Sequence, residues 1–300
     1  MHPQCPYCIS HSSISGFRIS VRRSGFFRRK CDGAKLIRYR CSCKKSFSTA
    51  TFDACYRQRK RHLNFSIAEH LASSNSQRRT AKLLRINKNT VAKKFKFLGP
   101  FAFKTLQRIN SEFAKSEVIE FDDQETFEHT KLKPLSITLA VQHKTRRVLG
   151  FSISQMPAKG HLAAYSRKKY GRRIDHRYHG RAELFKSLQN FVTETAIIKS
   201  DKNPHYPETV KRFFPKATYK TYKGQRGSTT GQGELKKVRW DPLFSLNHTC
   251  AKLRADVNRL FRKTWCTTKK TDQLGIHLAI FAVYHNLALE KKPFTLDMGL

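Results

Sequence analysis

Apolar and polar residues alternate with a period of two from residue 118 to residue 121, the pattern of a half-buried strand. That strand is expected to end near the acids of IEFDDQETFE, residues 119–128. Downstream, LKPLSITLAVQHKTRRVLGFSIS (132–154) is β-rich on both sides of His143-Lys144-Thr145-Arg146, which predicts a hairpin turning there. A helix over 182–195 then leads into a short strand, AIIKSD, that ends in Asp201 before the turn residues Lys-Asn-Pro. Further on, Leu246, Cys250, Leu253, Val257 and Leu260 recur at helical spacing and predict one buried stripe through DPLFSLNHTCAKLRADVNRLFRK. Nearer the N-terminus, Ile67, His70 and Leu71 begin a helical period. Ser76 is placed to cap a second helix carrying Ala81, Leu83 and Leu84. After a turn at Ile86-Asn87, Asn89-Thr90-Val91 opens a third helix expected to run to Gly99.

Charge changes what these elements are for. The chain holds 60 Lys and Arg against 21 Asp and Glu, a formal net charge of +39. Such a surplus opposes compaction unless a polyanion lies against it, so nucleic acid is the leading partner. No apolar run approaches the roughly eighteen residues that cross a bilayer, and MHPQCPYCIS lacks a basic and an apolar leader region. The expectation is a cytoplasmic protein with no membrane partner and no small-molecule substrate. Residues 1–110 contain 25 basic residues and three acids, Asp32, Asp53 and Glu69. The acids return at Glu112 and Glu117, which sets a boundary there.

Six of the eight cysteines fall within the first 55 residues, and in a reducing compartment clustered cysteines usually hold metal. CPYC, a basic strand-like segment and RCSC read as two knuckles joined by a strand pair. That arrangement builds a zinc ribbon with Cys5, Cys8, Cys41 and Cys43 as ligands. The second knuckle is one residue short of the usual spacing, and Cys31 is an alternative ligand. Cys250 and Cys266 read as small buried apolar residues. In 66–99, two short helices and a tight turn form a helix-turn-helix. Lys88, Asn89 and Thr90 would face base edges, while Arg78, Arg79, Lys93 and Lys94 would meet phosphates.

Five of the 21 acids sit in IEFDDQETFE: Glu120, Asp122, Asp123, Glu125 and Glu128. On a strand, Glu120 and Asp122 share one face and Asp123 takes the other. The order β-β-β-α-β, with acids on the first and fourth strands, matches an RNase H-like core, in which those strands are neighbours and Asp122 would meet Asp201. Two adjoining carboxylates raise each other's pKa unless a cation intervenes. Mg²⁺ (or Mn²⁺) suits them, being hard and content with two carboxylates, waters and substrate phosphate. A third ligand is expected from the later helix, where Asn247 or His248 stands in place of a glutamate. Glu234 is the alternative and Asp241 a poorer one.

In five segments, the chain resembles DDE-type bacterial insertion-sequence transposases, in the group around insertion sequence one. These segments are CPYC…RYRCSCKKSFS, SQRRTAKLLRINKNTVAKK, FDDQETFEHTKLKP, SDKNPHYP and LRADVNRLFRKTWCTTKK. The resemblance spans nearly the whole chain. It implies catalytic positions at Asp122, Asp201 and Asn247, with Asp123 in place of an accompanying glutamate. The better-known members carry Glu at the third position. It also implies binding of double-stranded DNA at element ends, Mg²⁺-dependent cleavage and 3′-OH strand transfer into target DNA, in a bacterial, nucleoid-associated homo-oligomer. The alternatives are a DNA-binding protein with an impaired core and an RNase H-like nuclease without strand transfer.

The expected organisation, an α+β or α/β chain, is a zinc ribbon over 1–50, a helix-turn-helix over 51–99, a linker helix over 100–116 and a catalytic core over 117–300 ending in helices. A basic insert at 156–181 interleaves Lys and Arg with Tyr165, Tyr170 and Tyr178, a mix suited to backbone contact and base stacking.

Overall fold

The structure, a computed structural model, describes residues 3–8, 20–223, 241–261 and 266–298. The chain divides into two compact units, Met1–Phe65 with Asp297–Leu300, and Ser66–Leu296.

The first unit is built on a three-stranded antiparallel sheet: β1 (Val21–Arg28), β2 (Lys35–Cys41) and β3 (Ser46–Ser48). Its core is small: Tyr39 stacks on Phe47 with ring centroids 5.5 Å apart, beside the buried Cys5 and Cys41. So little apolar burial leaves such a domain marginal unless something else ties it together. Asp32 and Asp53, two of the three acids in this basic region, are both taken up by Arg29 and Arg61.

Helix α1 (Asn64–Ala72) precedes α2 (Gln77–Leu83) and α3 (Lys88–Ser111). The Ser76 hydroxyl accepts the Arg79 N–H at 3.1 Å, and the Asn87 side chain accepts the Asn89 N–H at 2.8 Å. Both are N-caps that satisfy otherwise orphaned donors. The expected helix end at Gly99 is overturned, because α3 passes through Gly99 and Pro100 without a break. Pro100 removes one helical hydrogen bond. The buried stripe of Val91, Phe95 and Leu98 nevertheless continues through Ala102, Leu106 and Ile109, and its burial holds the helix together. Gly99 serves packing instead: a Cβ there would lie 2.7 Å from Ile276 Cγ1 on α8 (Thr271–Leu289).

The second unit also holds a mixed five-stranded sheet. Its strands are β4 (Ser116–Phe127), β5 (Pro134–Gln142), β6 (Val148–Gln155), β7 (Val192–Asp201) and β8 (Thr218–Tyr222). The spatial order is β6-β5-β4-β7-β8; β4, β5 and β6 are antiparallel neighbours, and β7 and β8 run parallel to β4. One face packs on α5 (Arg177–Leu188) and α6 (Tyr206–Phe213), with Phe121 set edge-on to Phe185. The other face packs on α7 (Phe244–Asp256) and α8, through Leu135, Ile137, Leu253 and Leu278. Helix α8 is apolar nearly all round and buried, yet no helix among the described residues is long and apolar enough to cross a membrane.

Several expected boundaries shift. The helix before β7 is α5, which begins and ends earlier than 182–195, so β7 is ten residues long rather than six. Residues 156–181 carry α4 (Leu162–Tyr170) and the start of α5, with Gly171 at φ +72 ending α4. All five residues of the expected 246–260 stripe are buried, but α7 stops at Asp256 and a 3-10 turn, Asn258–Leu260, carries the last of them. Cys266 is only half-buried and lies outside any α-helix, unlike the fully enclosed Cys250. Strand β8, helix α6 and the full length of β4 were not foreseen.

Candidate functional site

Strand β4 does not end at its acids. It continues to Phe127, paired throughout with β5. What ends there is β7: its ladder with β4 runs to Glu120 beside Lys199, and two residues further along each strand stand Asp122 and Asp201. Neighbouring strands lie about 4.8 Å apart, so the topology brings these two carboxylates together where β7 stops and the sheet surface opens. Alternation aims Asp122 at the face covered by α7.

Burial, followed by the charge of Asp201, pushes the Asp122 carboxyl up to about 6, against hydrogen bonds from the Asp123 N–H and the Tyr206 hydroxyl. The Tyr206 bond, 3.0 Å to Asp122 Oδ1, comes from the first residue of α6. Burial also raises Asp201, opposed by the Asn203 N–H and supported by the charge of Asp123. The Tyr206 hydroxyl is itself driven up by burial and by all three carboxylates, so it stays a proton donor. Two half-buried acids, both disfavoured as anions, form a site that a cation would stabilise.

The other acids of the stretch are spoken for. Asp123 faces the opposite side, where its carboxylate takes the Thr138 hydroxyl and Arg181 Nη1, the latter at 3.2 Å. Arg181 is 2% exposed and lies over the Tyr206 ring. Glu125 pairs with Lys159 at 2.6 Å and Glu128 with Lys133 at 3.2 Å. Glu120 is wholly buried; its carboxylate binds His143 Nδ1 and accepts the Leu246 N–H at 2.8 Å. His143 Nε2 in turn meets Lys199 Nζ at 3.2 Å. Tyr206, Arg181, His143 and Lys199 escaped sequence reading because their partners lie 23 to 84 residues away.

Asn247 stands in the first turn of α7, exposed, with Nδ2 donating to Asp241 Oδ2 at 2.8 Å. His248 meets Arg146 Nη1 at 3.1 Å and is lowered by burial and by that charge. Also on α7, the Cys250 thiol is pushed up to about 12 by burial and then by the Asp122 charge. Glu234 lies outside the described residues.

In the first unit, the sulfurs of Cys5, Cys8, Cys41 and Cys43 all lie within 4.8 Å of one another and could hold a metal ion. The Cys5–Cys43 pair is 3.9 Å apart and the Cys8–Cys41 pair 3.7 Å. Lys44, at φ +65, turns the chain after the short knuckle so that its N–H reaches the Cys41 carbonyl at 2.9 Å. The thiols are unequal. Hydrogen bonding to Cys43 and burial drive Cys8 up to about 12. For Cys41, burial is outweighed by hydrogen bonds from the Cys43 backbone and the neighbouring thiols, which bring it down to about 7. Cys31 is exposed and is not part of the cluster.

On α2 and the start of α3, Arg78, Arg79, Lys88, Asn89 and Lys93 are exposed and Thr90 is half-buried. Lys94 corrects the expectation: at 4% exposure it lies inside, because position 94 shares the face of Val91, Phe95 and Leu98. Comparison with protein-family models finds no match, and comparison with curated proteins finds none either.

Proposed function

We propose that this chain is a transposase: a DNA-binding enzyme that cleaves and joins DNA strands by metal-dependent phosphoryl transfer at Asp122 and Asp201. The observation that carries this reading is the pairing of these two acids on neighbouring parallel strands, both raised by burial. The strand order, three antiparallel strands followed by two parallel ones, supports reading the sheet as an RNase H-like core. The donor set suits Mg²⁺, with hard carboxylate oxygens from two strands. Bound there, the metal would supply charge neutralisation and activation of the attacking oxygen. Tyr206 would orient the Asp122 carboxylate, and Arg181 would hold Asp123 away from it. Asn247 is the proposed third contributor: with its amide nitrogen given to Asp241, the amide oxygen is the group left to act.

The four sulfurs suit zinc. Thiolates at about 2.3 Å around a tetrahedral ion are about 3.8 Å apart, close to the 3.7 and 3.9 Å separations here. Arg78, Arg79, Lys88, Asn89, Thr90 and Lys93 would form the DNA-reading surface, with basic contacts to phosphate supplying most of the affinity. A homo-oligomer follows from the need to hold two DNA ends.

The test is Mg²⁺-dependent nicking and joining of the DNA that flanks the gene, with Asp122→Ala and Asp201→Ala as comparisons. Wild-type activity lost in both variants supports the reading. Equal activity in all three overturns it. DNA binding with no cleavage in Mg²⁺ or Mn²⁺ favours a binding protein with an impaired core, the reading to which Asn247's exposure also lends weight.

A further inference from the structure

Residues 156–181 carry eight Lys and Arg against one acid, Asp175, which is paired with Arg177 at 2.6 Å. The segment is fastened to the sheet at several points. The Ser166 hydroxyl donates to the Leu132 carbonyl at 2.7 Å, and the His176 N–H donates to the Gln155 carbonyl at 3.0 Å. The Arg173 guanidinium donates to the Met156 and Pro134 carbonyls, each at 3.3 Å. Helix α4 is thereby held beside the turn joining β4 to β5. The end of β4 at Phe127 lies about 17 Å past Asp122, at about 3.4 Å per residue. With Ser166 turned inward, α4 presents its other side to solvent. Tyr165 there is 66% exposed, and Arg167, Lys168 and Arg172 are exposed with no acid partner among the described residues. On a helix the neighbours of position 165 are three and four residues away, so its ring stands among His161, Lys168 and Lys169. Ile174, just beyond α4, is 64% exposed. Tyr170 and Tyr178 are already engaged: Lys133 and Lys169 lie over the Tyr170 ring, and Arg212 Nη1 donates to the Tyr178 hydroxyl at 2.8 Å.

We propose that the outer side of α4 binds an unpaired DNA strand, with a base stacked on Tyr165 and with Arg167, Lys168 and Arg172 on its phosphates. The proposal rests on the DNA-binding part of the reading above and does not depend on catalysis at the acids. Cations alone would suit any phosphate backbone, paired or not. The exposed ring of Tyr165 and side chain of Ile174 separate the two cases. In a duplex the bases are stacked on one another and present only their edges and the backbone, so this apolar surface would gain nothing. An unpaired base offers its flat face, and stacking on an aromatic ring then adds to the phosphate contacts whatever the base. Because α4 is fastened to the hairpin that carries Asp122, a strand gripped here is kept at a set distance from the acid pair.

The experiment uses the full chain without added divalent metal, so that no cleavage occurs. Fluorescence polarisation reads its affinity for a short oligo(dT), an abasic strand, a duplex and an oligo(rU), all of one length. Tyr165→Ala should weaken oligo(dT) binding about tenfold, within the range of one base–aromatic stack, and leave the abasic strand and the duplex unchanged. Tyr165→Phe, which keeps the ring, should bind like the wild type. Replacing Arg167, Lys168 and Arg172 together by Ala should weaken oligo(dT) and the abasic strand alike, and lower the salt slope for oligo(dT) by about two. Because every one of these side chains is exposed, the melting temperatures should match that of the wild type. A Tyr165→Ala variant that binds oligo(dT) normally, or loses oligo(dT) and the abasic strand equally, overturns the proposal. Loss of duplex binding as large as that of oligo(dT) would assign the surface to paired DNA and overturn it too. Tighter binding of oligo(rU) than of oligo(dT) would overturn the assignment to DNA. Ring-dependent oligo(dT) binding by a protein that never nicks DNA in Mg²⁺ would sink the transposase reading and leave this surface standing.

Discussion

The buried carboxylate of Glu120 accepts the backbone N–H of Leu246 at 2.8 Å, tying the first turn of α7 to β4 only two residues before Asp122. The same turn is held by Ser245, whose hydroxyl accepts the Lys144 N–H at 2.9 Å. Glu120 is thus the structural acid of the stretch. Glu120→Ala would strand the Leu246 N–H and His143 in the interior, and should cost about 2–4 kcal/mol in urea unfolding. Glu125→Ala, removing an exposed pair with Lys159, should cost less than about 1 kcal/mol. Equal effects would mean that the buried network contributes nothing special.

Asp122 makes the metal-free protein sensitive to pH in a definite direction. Its carboxyl is raised from 3.8 to about 6 in the fold, so the folded state holds the proton more tightly than the unfolded one. That contribution is fully present below pH 3.8 and is lost as pH rises through 6. Each pKa unit corresponds to about 1.4 kcal/mol. Asp122→Asn should therefore raise the melting temperature of the metal-free protein at pH 8 relative to wild type, with a smaller difference at pH 4. Added Mg²⁺ should stabilise the wild type at pH 8 and the variant much less, as calorimetry would show.

Chelation should unfold the first unit while leaving the second folded, since the small core around Tyr39 and Phe47 offers little burial of its own. Elemental analysis is expected to find about one zinc per chain. Cys43→Ser should release the metal and make residues 20–60 protease-sensitive, whereas Cys31→Ser, at an exposed position outside the cluster, should leave both properties unchanged. A folded metal-free first unit would contradict the assignment.

Two neighbouring lysines on α3 should behave differently. Lys93→Ala removes an exposed charge, and should weaken DNA binding and reduce the slope of log K against log salt by about one. Lys94→Ala, at a buried position, should instead lower thermal stability and leave that slope nearly untouched. A salt slope that falls in Lys94→Ala would place this side chain on DNA after all.

His277 lies in the middle of α8, buried, with Nε2 2.7 Å from the Leu71 carbonyl. Burial, against that hydrogen bond, pushes it from 6.5 down to about 4. The unfolded chain therefore binds the extra proton first, so stability present above pH 6.5 is lost as pH falls toward 4, at up to about 1.4 kcal/mol per unit. His277→Gln, which keeps a donor for Leu71 but cannot titrate, should flatten this part of the stability profile. An unchanged profile would show that other groups govern acid unfolding.

The sequence by itself determined the local features whose signals span a few residues. The Ser76 cap, the 143–146 turn, the buried stripe of α7 and the face alternation of Glu120, Asp122 and Asp123 all follow from periodicity and side-chain chemistry. The two cysteine pairs were legible for the same reason. Only the tertiary structure decided how these two acids are engaged, because Arg181 pairs with Asp123 across 58 residues and the Tyr206 hydroxyl donates to Asp122 across 84. It also decided that α3 passes through Gly99 and Pro100, since the packing of Gly99 against Ile276 and the continued buried stripe outweigh the local breaker. Lys94 was misread because sequence gives a lysine's charge but not the tilt that carries its position onto a buried face.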